Sequence, residues 1–171
     1  MGTKKEKKQP PVWLLLIVVF TLFFLISIGI TRFFNLPWYF PFPRFWGIMI
    51  GMILLASGSF ILGSALRTLK IKRAFGGELY KSKAESKLIT TGIYAYTRNP
   101  VYLGSILLFL GWFFVFLFTF LLIMTFLFMI LFYFVAKWEE KELYERFGNE
   151  YLQYKQKVPF FIPYPKNHIR R

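Results

Sequence analysis

Two polar segments flank a long uncharged stretch of this sequence, and both carry side chains that could do chemistry. The first runs from Thr91 to Gly104, and the second is Glu139-Glu140-Lys141-Glu142-Leu143. The stretch between them, residues 99–136, carries no charge. If it folds back on itself inside a bilayer, both segments emerge at one membrane surface and form one polar site. That layout suits an enzyme that takes a soluble cofactor from water and a lipophilic substrate from the membrane.

In the first segment, a cation stands at the start of a predicted helix. The guanidinium of Arg98 can fork onto a carboxylate or phosphate, although snorkelling at a membrane edge also explains an isolated arginine. Asn99 adds an amide, and Pro100 suits the first turn because its missing N–H would be unpaired there anyway. The other free N–H groups of that turn favour an anion. Tyr94 and Tyr102 add hydroxyls and flat aromatic faces to this candidate binding loop.

The second segment holds two adjacent carboxylates, which helical geometry places about 100° apart. One of Glu139 and Glu140 should therefore face the bundle, where a carboxylate needs a cationic or hydrogen-bonding partner. A cationic ligand, an amine or a sulfonium, would serve. Plain solvation of a helix end is the alternative interpretation.

The rest of the residue inventory narrows the chemistry. The chain lacks Cys and Asp, and its one histidine, His168, sits in a basic tail, so no metal site is expected. There is no Ser-His-Asp set, no P-loop and no GxGxxG motif. Carboxylates, Arg, Asn and Tyr beside lipid suit methyl transfer from a sulfonium, because the leaving group is already activated and the enzyme mainly aligns donor and acceptor.

Apolar residues make up 56% of the chain, more than a soluble domain of this size can bury. Four stretches are long enough to cross a bilayer, at about residues 12–31, 45–66, 100–118 and 119–136. Of the 22 Lys and Arg residues, all but Arg32 and Arg44 then fall on one side, which predicts that both termini are cytoplasmic. Anionic lipid explains the net charge of +14 better than nucleic acid does.

We therefore predict an all-α fold, a polytopic membrane helix bundle of about four transmembrane helices, with residues 1–171 forming a single integral-membrane domain. Small residues recur at helical spacing and indicate close packing inside one bundle, with homodimerisation as the second interpretation. They are the pairs Gly47/Gly51, Ser59/Gly63 and Gly104/Gly111.

A C-terminal interfacial helix is predicted beyond the last span. An apolar stripe recurs at helical spacing, an interruption is expected at Gly148-Asn149, and Pro159 should end the helix. The stripe consists of Leu143, Phe147, Tyr151, Tyr154 and Val158.

Both polar segments resemble signatures of integral-membrane methyltransferases, a group that includes isoprenylcysteine carboxyl methyltransferases and phospholipid methyltransferases. Leu88-Ile89-Thr90-Thr91-Gly92-Ile93-Tyr94, followed by Arg98-Asn99-Pro100-x-Tyr102-x-Gly104, is similar to the first signature. Glu139-Glu140-x-x-Leu143-x-x-x-Phe147-Gly148-x-x-Tyr151-x-x-Tyr154-x-x-x-Val158-Pro159 matches the second at the same spacing. The motif region, residues 86–163, covers about half of the chain.

The resemblance implies S-adenosylmethionine as the cofactor, with Arg98 and Glu140 as candidate catalytic residues. Glu140 is the candidate base if the acceptor is an amine. The resemblance also implies that the cofactor pocket is lined by Ser86, Lys87, Leu88, Ile89, Tyr94, Asn99, Pro100, Val101, Tyr102 and Glu139.

The predicted partners are membrane lipids and a lipophilic acceptor, either a lipid amine or another membrane-soluble small molecule. Val135 and Asn99 replace an Arg and a His of the carboxyl methyltransferases, which argues against a prenylcysteine substrate. One alternative is an NADPH-dependent membrane reductase of the sterol-reductase type, although Pro100 and Ser105 depart from its R-H-x-N-Y-x-G-D element. The other alternative is a non-catalytic membrane bundle.

Overall fold

The computed structural model describes residues 12–69 and 88–161, with side chains from residue 17 onward, and within these ranges it is helical without a β-strand. The all-α prediction is thus confirmed, and each predicted span coincides with a helix. A 3₁₀ turn, Gly92–Ala95, precedes the third helix. The α-helices are α1 (Val12–Phe33), α2 (Arg44–Leu69), α3 (Pro100–Phe116), α4 (Thr119–Phe147) and α5 (Asn149–Lys157).

The tightest helix contact joins α2 and α3 through glycines. A Cβ added to Gly58 would lie 2.9 Å from the carbonyl oxygen of Gly104, and one added to Gly51 would lie 2.9 Å from that of Gly111. Glycine is needed at these positions because the two backbones touch. The predicted packing of small residues is confirmed here, with Gly58 as an unpredicted member. The prediction is wrong for the Ser59/Gly63 pair, because a Cβ added to Gly63 would have no neighbouring atom within 4 Å.

Aromatic rings join α1, α3 and α4 on the other side of the bundle. Phe109 of α3 stacks on Phe128 of α4 with ring centroids 4.5 Å apart, and Phe20 of α1 lies 6.5 Å from Phe109. Phe132 continues this column to Tyr102, 5.3 Å away. The helices therefore lie in the order α1, α4, α3, α2, and Tyr102 marks the end of the aromatic core.

The turn between α3 and α4 lies where the sequence predicted it, near Phe118. Leu117 adopts a left-handed conformation with φ of +56°, which is costly for a residue with a side chain. The loop between α1 and α2 stabilises it, because the N–H of Phe40 donates to the Leu117 carbonyl at 2.7 Å. The N–H of Thr119 donates to the Trp38 carbonyl at 3.0 Å. A hairpin without glycine or proline is thus held by a neighbouring loop.

The predicted interruption of the C-terminal helix is confirmed. α4 ends at Phe147, the next residue Gly148 has a left-handed φ of +51° that turns the chain, and α5 then packs back on α4. Tyr151, Tyr154 and Val158 form a buried cluster against Leu143 and Phe147. After α5 the chain continues as a C-terminal segment, residues 158–161, which has no regular secondary structure.

Much of the apolar surface of α2 and α4 faces away from the protein. Only 17% of the most apolar window of α2 is buried, and 28% of that of α4. A core helix of a soluble protein would be mostly buried, so these surfaces need another apolar environment. Both helices are long and apolar enough to cross a membrane, whereas residues 17–33 and α3 are shorter apolar helices. The fold supports a membrane protein.

The glycine contact predicts opposite effects for two alanine substitutions in α2. Gly58→Ala should destabilise the protein, because overpacking costs about 1–3 kcal/mol and outweighs alanine's helical advantage of roughly 0.5–1 kcal/mol. Gly63→Ala, in open space, should keep or raise the stability. The measurement is the unfolding midpoint in detergent; equal midpoints for the two variants would contradict the close contact.

Candidate active site

The 3₁₀ turn holds the loop before α3 against the end of α2. Gly92 begins this turn with φ of +61°, a left-handed conformation that favours glycine. A Cβ at this position would also lie 2.9 Å from Oγ1 of Thr68 in the last turn of α2. This glycine therefore allows the loop before α3, which carries the first signature, to approach the end of α2 closely.

The C-terminal segment is tied to the start of α3 by three hydrogen bonds. The N–H of Arg98 donates to the carbonyl of Pro159 at 3.0 Å. The side chains of Thr97 and Asn99 both donate to the carbonyl of Phe160, at 3.2 and 3.1 Å. Both side chains are buried. These bonds join the first signature to Pro159, the last residue of the second signature, and to Phe160 directly after it.

Glu140 is buried and surrounded by cations. Its Oε1 lies 3.0 Å from Nη1 of Arg98, and its Oε2 lies 3.4 Å from Nζ of Lys155 and 3.7 Å from Nζ of Lys137. The Arg98 contact is ionic rather than an aligned hydrogen bond, since neither of its two atoms has a hydrogen-bond partner among the described residues. The predicted cationic partner of the buried carboxylate thus comes from the chain itself.

Glu139 has a different environment from its neighbour. It is exposed, and its Oε1 accepts a 2.7 Å hydrogen bond from the hydroxyl of Tyr102. The carboxylate lies beyond the uncharged part of α4, where surrounding protein atoms displace water and raise its pKa. The Tyr102 bond lowers that pKa and the charge of Glu142 raises it, with a net upward shift.

Two tyrosines link α5 to the loop before α3. The hydroxyl of Tyr154 donates to the backbone carbonyl of Tyr94 at 2.7 Å. Burial raises the pKa of Tyr154 to about 12, an effect that the charge of Arg98 opposes and that of Glu140 reinforces. Burial likewise raises the pKa of Tyr94, and the nearby charge of Glu139 adds to this shift. Both hydroxyls stay protonated at neutral pH.

The start of α3 presents unpaired backbone N–H groups. The first hydrogen bond of this helix runs from the N–H of Leu103 to the carbonyl of Asn99 at 3.0 Å. The N–H groups of Val101 and Tyr102 have no acceptor among the described residues. The Asn99 side chain does not cap the helix, because its amide is bound to Phe160. This end of α3 can therefore accept an anion such as a carboxylate.

The predicted cofactor residues fall into three groups. Tyr94, Tyr102 and Glu139 lie close enough for their charges to interact. The second group is not gathered around these three: Leu88 packs against the cluster of Tyr151, Tyr154 and Val158, and Asn99 directs its amide at the C-terminal segment. Pro100 and Val101 form the first turn of α3, and Ile89 is partly buried in the loop before it. Ser86 and Lys87 lie outside the described residues.

Sequence reasoning missed three residues that organise this region. Thr97 and Phe160 form the connection to the C-terminal segment, and Lys155 contacts Glu140. Lys155 stands one residue after Tyr154 of the apolar stripe, so the stripe itself could have placed it near α4. No pattern in the sequence distinguishes Phe160, because it contributes through its backbone carbonyl.

The fold and the site define a helical membrane protein with a polar site at the ends of two apolar helices. A scan of protein families matches residues 46–150 to the phospholipid methyltransferase family. This match covers more than half of the chain, so the protein belongs to that family of methyltransferases, and the family supports an enzyme that acts on a lipid-related substrate. Neither the curated proteins nor the solved structures contain a match.

The cation cluster predicts a large structural effect for Glu140→Gln. Removing one charge from a buried ion pair leaves its partner uncompensated, which costs about 3–5 kcal/mol. Glu145→Gln removes an exposed carboxylate from the same helix and should change stability by less than about 0.5 kcal/mol. Thermal unfolding in detergent measures both. A Glu140→Gln variant as stable as wild type would show that Arg98 does not depend on this carboxylate.

Proposed function

We propose that this protein transfers the methyl group of S-adenosylmethionine to a lipophilic acceptor, a lipid amine or another membrane-soluble small molecule, at the cytoplasmic membrane face. One observation carries the proposal: the Glu139–Tyr102 hydrogen bond lies beside the free N–H groups of α3, where α3 begins and the uncharged part of α4 ends. Membership of the phospholipid methyltransferase family supports it.

The residues fit the charges of S-adenosylmethionine. The exposed carboxylate of Glu139 suits a positive charge, and the N–H groups of Val101 and Tyr102 suit a carboxylate. Bound there, the cofactor supplies an already activated methyl group. Ser86, Lys87, Leu88, Ile89, Tyr94, Asn99 and Pro100 complete the proposed pocket on the basis of the family resemblance.

Arg98 and Glu140 enter the proposal as the pair that positions the site. The Glu140 carboxylate is engaged by Arg98, Lys137 and Lys155, so we assign it a positioning role in place of the predicted role as a base. The pair instead joins the loop before α3 to α4 directly behind Glu139. We therefore expect their substitution to act mainly on site geometry.

We also propose four membrane crossings by α1 to α4, with both termini cytoplasmic. Twenty of the 22 Lys and Arg residues then fall on the cytoplasmic side, with only Arg32 and Arg44 on the opposite side, and this distribution supports the orientation. Reporter domains fused at residue 171 and in the loop at Trp38 should localise to opposite sides of the membrane. If both report the same side, the number of crossings is wrong.

Glu139→Gln should weaken binding of S-adenosylmethionine about tenfold or more, because a hydrogen-bonded charge is lost. In the wild type, affinity should fall as the pH is lowered from neutral into the acid range, since protonation removes the carboxylate that a cation needs, and the upward shift of the Glu139 pKa makes this loss begin at a higher pH than for an ordinary glutamate. Glu139→Gln should remove this pH dependence, whereas Glu145→Gln should keep it. Calorimetric titration measures all three; an unchanged affinity for Glu139→Gln removes Glu139 from the site.

The acceptor is tested with labelled S-adenosylmethionine and a total lipid extract. We expect label in lipid products, because the site opens where the apolar surfaces of α3 and α4 end. Val135, at a position where carboxyl methyltransferases carry Arg, is compatible with an amine acceptor. Label found only in water-soluble products would contradict a lipophilic acceptor without affecting the cofactor assignment.

A further inference from the structure

An open groove lies between the charged end of α4 and α5, next to Glu140. Its volume is about 290 Å³. Glu139 and Tyr102 are not among its lining residues, so the groove is separate from the proposed methyl-transfer site. The lining is Lys137, Glu140, Lys141, Tyr144, Tyr151, Leu152 and Lys155.

The charges in this groove do not balance. Three lysines line it together with one carboxylate, and Glu140 already pairs with the buried Arg98. Lys141 has no ion pair with any residue in the described ranges. Lys137 and Lys141 are four residues apart on one helix, an arrangement in which like charges repel. The groove thus carries surplus positive charge that an anion would relieve.

The residues outside the described ranges carry too few negative charges to neutralise this surplus. Residues 1–11, 70–87 and 162–171 together hold 13 Lys and Arg residues against three Glu residues. Whatever structure they take, their net charge is positive. A counter-charge for three lysines is therefore more readily supplied from outside the chain.

A buried hydrogen-bond donor also lines the groove. Tyr151 is 1% exposed, and its hydroxyl lies near the Glu140 carboxylate but makes no well-aligned hydrogen bond among the described residues. Burial raises the pKa of Tyr151, Glu140 raises it further and the charge of Arg98 opposes this, so the hydroxyl remains a donor at neutral pH. Unpaired buried donors are uncommon because each costs about 1–3 kcal/mol. This second feature points to a ligand with acceptor atoms.

We propose that the groove binds a negatively charged phosphate group, held by Lys137, Lys141 and Lys155 with Tyr151 as a hydrogen-bond donor. Lysine binds phosphate as a point charge, and an open groove admits a group on a larger molecule. Lys137 and Lys141 follow the uncharged part of α4, and Lys155 of α5 lines the same groove, so the group can come from an anionic phospholipid headgroup or from free phosphate. Exposed Tyr144 and Leu152 add apolar surface beside the lysines.

The test uses the full chain in an uncharged detergent and three probes. Dioctanoyl phosphatidylglycerol carries the phosphate on a lipid, dioctanoylglycerol is the same lipid without phosphate, and inorganic phosphate is compared with chloride at equal ionic strength. Thermal shift against probe concentration gives an apparent Kd for each. The test variants are Lys141→Gln and Tyr151→Phe. The matched control is Lys157→Gln, which also removes one exposed lysine, from α5, but at a position that does not line the groove.

We expect phosphatidylglycerol to stabilise the wild type and Lys157→Gln equally, with dioctanoylglycerol giving no shift. Lys141→Gln should weaken the Kd about fivefold, the ratio that one interfacial lysine supplies. Tyr151→Phe, which keeps the ring and the groove, should also weaken it. The same pattern with inorganic phosphate alone would support the site and identify free phosphate as its source. No shift with either phosphate probe, or equal losses in Lys141→Gln and Lys157→Gln, would overturn the proposal.

Discussion

The buried charge cluster around Glu140 is the constraint on which the rest of the site depends. It joins Arg98 before α3, Glu140 in α4 and Lys155 in α5, three segments that are far apart in the sequence. Burying the charges of Arg98 and Glu140 is costly unless they pair, so the loop before α3 and α4 must come together, while the half-exposed Lys155 adds α5 to the cluster. Because Glu139 is the next residue on the same helix, the cluster also fixes where the exposed carboxylate lies.

The glycine contact between α2 and α3 sets the position of the other half of the site. Gly58 and Gly104 bring the two backbones together, and Gly104 lies one turn after Pro100. The loop before α3 must then lie close to the end of α2, and the left-handed conformation of Gly92 allows this close approach. Small residues in the apolar region thus determine where the free N–H groups of α3 are presented.

Much of the fold could be predicted from the sequence, because the lengths of the apolar stretches and the positions of the charged residues indicate where the helices begin and end. The four apolar stretches, the turn near Phe118 and the interruption at Gly148 all correspond to observed features. Other features follow from long-range backbone contacts that no local pattern encodes. The stabilisation of Leu117 by Phe40 is one of these, and the use of the Asn99 amide to hold Phe160 is another.

The two adjacent glutamates show how one helix divides structural from binding roles. A rotation of about 100° separates them, so Glu140 enters the cation cluster while Glu139 faces Tyr102 at the surface. A carboxylate surrounded by three cations has its charge satisfied within the chain and gains little from a cationic ligand. One that accepts a single hydrogen bond and remains accessible still has charge to offer. The identity of the partners, rather than the residue type, therefore singles out Glu139 as the carboxylate for a ligand.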